Sequence, residues 1–381
     1  MKFPPAKYMV GKVVLPNPIV VASCPATEDC ERLLRCAEAG AGAAILKSCH
    51  PIGTSLSDEG FRQFYHSDRG LWGTSTVARE LLHPDKICSI LTYVSNRCDF
   101  IVIPSVAGFT LELSEWINTL RLLKPYNPPC VQLDLFYLEE DLSLPNTQRR
   151  LRKLIINLQR ECGLHLLPKL NQELRPMAAL KTFDGTGISG WSLLDSIRTN
   201  LPMNPSPGAH DFPNFNHAEE LNTASLFGSW QLPLVCEYVF RLRARSNIPI
   251  LAGGGVQNVT DVVRLLSLGA NAVQVATAII RNGPDWIKLT LSELERWEIG
   301  EHCRSAMSPH QPGARVKIDT SLCSSCGRCV DQLMCNAIEM KVVPFVNVNK
   351  CEGCGFCLSL CPEHAMTLST AQNGGYHDSR N

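Results

Sequence analysis

The chain has 381 residues, with 36 basic side chains against 36 acidic ones, and 18 cysteines. That length leaves room for one large domain and one small one. Balanced charge argues against a nucleic-acid stripe or a basic membrane-binding face, so neither is an expected partner. The opening stretch MKFPPAKYMVGKVV lacks the unbroken apolar core of a signal peptide, and no segment reaches the length of a membrane span. A soluble protein of a reducing compartment, the cytoplasm, is the expectation.

Short runs rich in Val, Ile and Leu alternate with stretches that read as helices, the pattern of a parallel sheet with crossover helices. In chain order the runs are 17–23 (NPIVVAS), 42–48 (GAAILKS), 100–106 (FIVIPSV), 129–135 (PCVQLDL), 165–170 (HLLPKL), 185–191 (GTGISGW), 248–254 (IPILAGG) and 272–277 (AVQVAT). Eight such units within residues 1–300 point to a (β/α)8 TIM barrel. Two connecting helices show the right spacing: Cys30, Leu33, Leu34 and Ala37, and again Val259, Val262, Val263 and Leu266, fall at i, i+3, i+4 and i+7. Each is followed by a Gly-Ala turn and a strand, which makes a weak internal repeat.

Barrel chemistry gathers where strands end, often with a phosphate held after strands seven and eight. Gly253, Gly254 and Gly255 end strand seven, where backbone N–H groups can approach a phosphate; Ala276 and Thr277 end strand eight and add donors. Cys24, Cys49 and His50 lie just beyond strand ends, and Lys47 is a neighbour that could lower the Cys49 pKa; buried, inert cysteines are the alternative. The stretch 200–228 is rich in Pro and Asn and reads as an irregular covering loop, with His210 or His217 reaching the pocket or lying at the surface. Residues 301–318 read as a linker, 319–370 as the small domain and 371–381 as a loose tail.

The small domain holds CSSCGRCVDQLMC at 323–335 and CEGCGFCLSLCP at 351–362. Three cysteines at successive x2 gaps and a fourth before proline match the bacterial ferredoxin run, in which each run lends its fourth thiolate to the other cluster. By that rule one [4Fe-4S] cluster takes Cys323, Cys326, Cys329 and Cys361. The other takes Cys351, Cys354, Cys357 and Cys335. The first copy departs from the pattern, with five residues in its last gap and Asn336 where proline is usual. Structural zinc is the competing use of C-x2-C pairs.

NPIVVASCPAT, AEAGAGAAILKS, IPILAGGGVQNVTDVVRLLSLGANAVQVATAI and the cysteine runs together resemble the dihydroorotate dehydrogenase family, most of all the FMN/iron–sulfur subunit of bacterial dihydropyrimidine dehydrogenase. The resemblance implies an FMN barrel followed by a two-cluster ferredoxin domain. It places Ala22 and Ser23 along the flavin, Lys47 and Lys169 against its ring or ribityl chain, and Gly228, Gly254, Gly255, Ala276 and Thr277 around its phosphate.

On the substrate side the chain departs from the family. Asp134 and Tyr137 stand where an asparagine and the acid–base cysteine are expected, Thr76 takes another asparagine position, and strand six ends around Gly190 and Trp191 instead of an asparagine–threonine pair. Tyr137 becomes the candidate proton donor, and the standard pyrimidines become unsuitable substrates.

Two functions follow from these residues. One is an oxidoreductase passing electrons between the clusters and FMN to reduce or oxidise a ring carbon–carbon bond of a small, carbonyl-conjugated molecule. The other is a catalytically degenerate electron-transfer or scaffold subunit. The resemblance implies an oligomer and an NAD(P)H-oxidising flavoprotein subunit, or another electron donor, as partner.

Overall fold

The computed structural model describes residues 8–52, 64–66, 72–76, 81–200, 223–298, 314–331 and 335–370. The chain divides into two compact units, residues 1–299 and 300–381. His210, His217 and the 371–381 tail lie outside the described residues.

In the first unit the parallel strands are β1 (Ile19–Val21), β2 (Ala43–Ile45), β3 (Val102–Ile103 continued by Ser105–Ala107), β4 (Val131–Asp134), β5 (Leu166–Lys169), β6 (Trp191–Ser192), β7 (Ile250–Gly253) and β8 (Ala272–Val275). Each pairs with its successor, and β8 returns to β1 with Gln274 opposite Val20. Pro104 splits β3 because it has no N–H for the ladder. Its carbonyl still accepts from the Gln132 N–H, so the ring of eight closes there. This is the expected TIM barrel.

The helices α1 (Cys30–Glu38), α2 (Pro84–Ser95), α3 (Leu113–Leu123), α4 (Pro145–Cys162), α5 (Pro176–Phe183), α6 (Leu232–Arg243) and α7 (Val259–Ser267) follow their strands in turn. After β8 come α8 (Thr277–Asn282) and α9 (Asp285–Glu298). Asp29 and Asn258 cap α1 and α7 by accepting from the N–H groups of Arg32 and Asp261. None of the described helices is long and apolar enough to cross a membrane.

Strand six differs from the sequence expectation. The run 185–191 was expected to be the strand, but Gly185 and Gly187 adopt φ of 63° and 78°, which no extended strand allows. Pairing begins at Trp191 opposite Ile250, so the strand points onward to Asp195 and Ser196. Gly190 lies at the close approach instead: a Cβ there would come 2.8 Å from Leu167 Cδ1.

Alternation along the strands sends every second residue inward. Val20, Ala43, Ile45, Ile103, Leu167, Leu251 and Ala272 form an apolar floor, closed by the hairpin Met9–Val10/Val13–Val14 through Val10 and Leu15. Above it Gln132, Ser192 and Gln274, from β4, β6 and β8, bond to one another across the interior. Gly253 makes room for this layer, since a Cβ would come 2.4 Å from Gln274 Cγ.

Two connections at the C-terminal ends of strands carry a four-stranded antiparallel sheet of Phe64–His66, Trp72–Thr76, Thr223–Gly228 and Ile197–Asn200. The segment expected to be irregular over 200–228 is therefore strand at both edges, because 224–228 pairs with 72–76 and Thr223 with Asn200.

In the second unit Ala314–Ile318 pairs antiparallel with Met366–Thr370, and Ile338–Met340 with Pro344–Val346. The sequence had assigned 314–318 to the linker. These residues form a strand because Val316 is buried among Ile338, Met366 and the cysteines. The short helix α10 (Phe356–Leu360) lies within the second cysteine run and carries Cys357.

Candidate cofactor and substrate site

Four charged side chains meet at the C-terminal ends of β2, β4, β5 and β6. Lys169 Nζ pairs with Asp195 Oδ2 at 2.7 Å, with side chains 8% and 15% exposed. Burial opposes the charge on Lys169, but the carboxylates of Asp195 and Asp134 outweigh it and hold its pKa above the usual lysine value. Asp134 is buried; burial drives its pKa up, and Lys169 acts against that rise. Burial lowers the pKa of Lys47; Asp134 acts against this, and Lys169 adds to it. Lys47 has no ion-pair partner among the described residues.

Asp134 also ends a chain of side-chain hydrogen bonds. Its Oδ2 accepts from Ser48 Oγ at 2.5 Å and its Oδ1 from the Phe136 N–H at 3.2 Å. Ser48 Oγ lies 2.9 Å from Ser105 Oγ and 3.2 Å from Ser23 Oγ. Gln132 Nε2 donates to Ser105, Ser192 donates to Gln132 Oε1, and Gln274 Nε2 donates to Ser192, at 2.9, 2.9 and 3.0 Å. The buried Gln274 Oε1 has no hydrogen-bond partner among the described residues.

Tyr137 is buried in an aromatic wall, edge-on to Phe136 and Phe109 at centroid distances of 5.3 and 6.4 Å, with its phenol near Lys169. The remaining catalytic candidates are structural in their surroundings. Burial pushes both the Cys24 and the Cys49 thiols up to about 12, because neither is solvated as a thiolate; Cys49 therefore does not show the lowering that Lys47 could have caused. His50 uses both ring nitrogens: Nδ1 accepts from the Ile52 N–H, which makes Nε2 the donor to Glu115 Oε1 at 2.9 Å.

Three further loops follow the strand ends. Gly228 before the 3-10 turn Ser229–Gln231 and Ala276 before α8 start their helices without side-chain caps, and the Gly254–Gly255 pair after β7 leads to α7, which Asn258 caps. Gly253 pairs with Gln274, which sets Gly254 and Gly255 beside Ala276 and Thr277. Gly228, Gly254 and Gly255 have φ of 136°, 109° and 83°, and a Cβ on Gly255 would lie 2.8 Å from the Gly228 carbonyl. The loops thus meet at backbone distance, with N–H groups left to bind an anion.

In the second unit the cysteines fall into two groups. Cys329, raised chiefly by burial, is raised further by its neighbours Cys323, Cys326 and Cys361. Cys357, pushed up to about 11 chiefly by burial, stands likewise among Cys351, Cys354 and Cys335. None of the eight is in a disulfide among the described residues. Among the described residues no three His, Cys, Asp or Glu side chains lie close enough to grip a single ion. The first group instead lines a cavity together with Ile318 and Met366. The fourth members are set alike: the Ala337 N–H donates to Cys335 Sγ and the Ala365 N–H to Cys361 Sγ, both at 3.3 Å.

Residues 211–297 match the dihydroorotate dehydrogenase family, and residues 344–367 match the 4Fe-4S binding domain. Over these segments the chain is similar to the dihydroorotate dehydrogenase family and to the 4Fe-4S binding domain. Among its relatives is the catalytic subunit of dihydroorotate dehydrogenase B (NAD(+)) from Latilactobacillus sakei, 28% identical over 33% of this chain and 39% of the relative. The same subunit from Staphylococcus carnosus is 48% identical over 13% of this chain and 16% of its own length. A dihydroorotate dehydrogenase (quinone) from Anaeromyxobacter is 29% identical over 40% and 44%. The chain thus spans less than half the length of these relatives.

A dihydroorotate dehydrogenase barrel implies FMN, and the residues present fit it. The close-set loops at Gly228, Gly255 and Ala276 suit its phosphate, Lys47 has no ion-pair partner among the described residues, and the buried Gln274 Oε1 has no hydrogen-bond partner among them. The two cysteine groups likewise fit iron–sulfur binding.

Asp195 went unrecognised in the sequence. With strand six placed by its pairing, Asp195 and Ser196 occupy the strand end where the dihydroorotate dehydrogenase resemblance expects an asparagine–threonine pair. The apolar run WSLL just before them was the available signal. Alternation from Ser192 would not have marked its charge partner on β5.

Proposed function

We propose that the chain is an FMN- and iron–sulfur-dependent oxidoreductase. It passes electrons between two [4Fe-4S] clusters and FMN, and reduces or oxidises a ring carbon–carbon bond of a carbonyl-conjugated substrate other than a standard pyrimidine. The observation that carries this reading is the presence, in one chain, of two four-cysteine groups and a barrel whose strand ends unite a paired lysine, a second lysine with no ion-pair partner among the described residues, and a glycine cradle.

FMN would supply hydride chemistry and the exchange between one-electron and two-electron partners. Gly228, Gly254, Gly255, Ala276 and Thr277 would hold its phosphate, with Ala22, Ser23, Lys47 and Lys169 along the rest. Cys323, Cys326, Cys329 and Cys361 would hold one cluster, and Cys351, Cys354, Cys357 and Cys335 the other. Tyr137 closes the substrate side with Phe136 and Phe109 and keeps water out.

Asp134 and Asp195 present carboxylates, which accept hydrogen bonds but do not donate them when ionised. A pyrimidine edge with alternating donors and acceptors matches them poorly, and this supports a different ring. The same two residues also favour the second reading, a subunit that keeps its cofactors and only relays electrons. Relatives named as catalytic subunits support an NAD(P)H-oxidising flavoprotein partner. The free thiols suit the cytoplasm.

The first test is analytical. Anaerobically purified protein should contain one FMN and about eight irons with matching sulfide per chain, and should show interacting cluster signals by electron paramagnetic resonance on reduction. Zinc in place of iron would overturn the cluster assignment.

A further inference from the structure

The chain of hydrogen bonds that ends on Asp134 has a direction. A carboxylate only accepts, so Ser48 spends its single hydroxyl proton on Asp134 Oδ2. Ser48 must then accept from both Ser105 and Ser23. Gln132 Nε2 already donates to Ser105, Ser192 to Gln132, and Gln274 to Ser192. Every donor in the network therefore points toward Asp134.

The amides of Gln132 and Gln274 fix the lower half of this network, because an amide cannot exchange its donor and acceptor ends without turning over. The upper half consists of hydroxyls, which rotate freely. If Asp134 gains a proton, it can donate to Ser48. Ser48 then turns its own proton onto Ser23, and Ser23, no longer donating inward, is free to donate outward. Ser23 is partly exposed at the end of β1, whereas Asp134 is buried. One proton deep in the barrel thus decides whether Ser23 presents a lone pair or a proton to the site.

We propose that Asp134 is a redox-linked proton site, which takes up one proton as the flavin of this barrel is reduced and, through Ser48, turns Ser23 from acceptor to donor toward it. The proposal rests on the FMN reading above. In balance, two electrons would come from the clusters and two protons from solvent, one to the flavin and one to the Asp134 carboxylate; on reoxidation the flavin gives up its own proton with its electrons and Asp134 returns the other to solvent. Among the described residues the charged and titratable groups facing Asp134 are Lys47, Lys169, Asp195 and, beside Lys169, Tyr137. Lys169 is already committed to Asp195 at 2.7 Å. Burial, the largest influence on Asp134, favours its neutral form.

The test is reduced-minus-oxidised infrared difference spectroscopy of the flavin-loaded full chain, in H2O and D2O. Reduction should raise a carbonyl band of a buried, protonated carboxylic acid that shifts on deuteration. Asp134→Asn should lose this band while keeping the flavin bands; Ser48→Ala should keep it at a shifted frequency, because the hydroxyl partner is gone. Labelling the native chain with 13C-aspartate should move the band, an assignment that does not depend on a variant folding. A native spectrum without the band, or a band that survives in Asp134→Asn, overturns the proposal while leaving the FMN reading intact. A chain that never binds flavin removes both.

Discussion

Lys169 and Asp195 hold each other at 2.7 Å in a site that is nearly closed to solvent. Removing one partner of a buried pair leaves an uncompensated charge, at a cost of about 3–5 kcal/mol. Lys169→Met should therefore lower the thermal midpoint clearly more than Lys47→Met, since burial already disfavours the charge on Lys47. Equal midpoints would show that the pair contributes nothing to the fold.

Glu115 allows a prediction with pH. Burial would raise its pKa, but hydrogen bonds from Thr110, the Phe109 N–H and His50 outweigh that and hold it below the usual 4.5. The unfolded chain then binds the proton more readily, so the stabilisation is complete above pH 4.5 and lost as pH falls through the lower folded value. Glu115→Gln should flatten the acid limb of melting temperature against pH. An unchanged limb contradicts this assignment.

At this scale the legibility of the sequence was uneven. Lys47, Lys169 and the eight cluster cysteines stood out by their spacing or their apolar surroundings. Asp195 did not, because its meaning depends on a lysine from another strand. For Cys49 a lowering beside Lys47 and an inert buried thiol were both open, because burial, which raises its pKa, is invisible in a linear neighbourhood.

Among the elements, the loop after β7 is the most constrained. Gly255 has φ of 83°, and a Cβ would come 2.7 Å from the Leu232 N–H nitrogen and 2.8 Å from the Gly228 carbonyl. Gly255→Ala should therefore push the loop away from α6 and release flavin while the barrel stays folded, read as a lower flavin-to-protein absorbance ratio with unchanged far-ultraviolet circular dichroism. Full flavin retention would remove Gly255 from the cradle. The strands themselves were legible where Val, Ile and Leu run together, as in β1 and β7. Strand six was not, because its apolar residues follow a glycine-rich turn that imitates a strand boundary. Thr223–Gly228 was hidden for another reason: its pairing partner, Trp72–Thr76, lies far away in sequence.

For the molecule as a whole, the two units depend on different sources of stability. The barrel has a large apolar core, whereas three of the seven buried residues of the small unit's core cluster are the thiols Cys329, Cys351 and Cys357. Iron removal under denaturant-free conditions should therefore abolish hydrogen-exchange protection at 314–318 and 366–370 and leave the barrel strands protected. Protection retained in both units would show that the small unit folds without metal.

In the proposed function, electrons that enter the cysteine-bound clusters leave through the barrel to a ring substrate. The most direct measurement is to reduce the holoprotein fully without oxygen, add a panel of pyrimidines and other cyclic enones, and follow flavin absorbance. The account predicts rapid reoxidation by a conjugated ring other than uracil, thymine or orotate. A flavin that stays reduced with every compound, yet reoxidises with a protein electron acceptor, would contradict it and make the chain a relay.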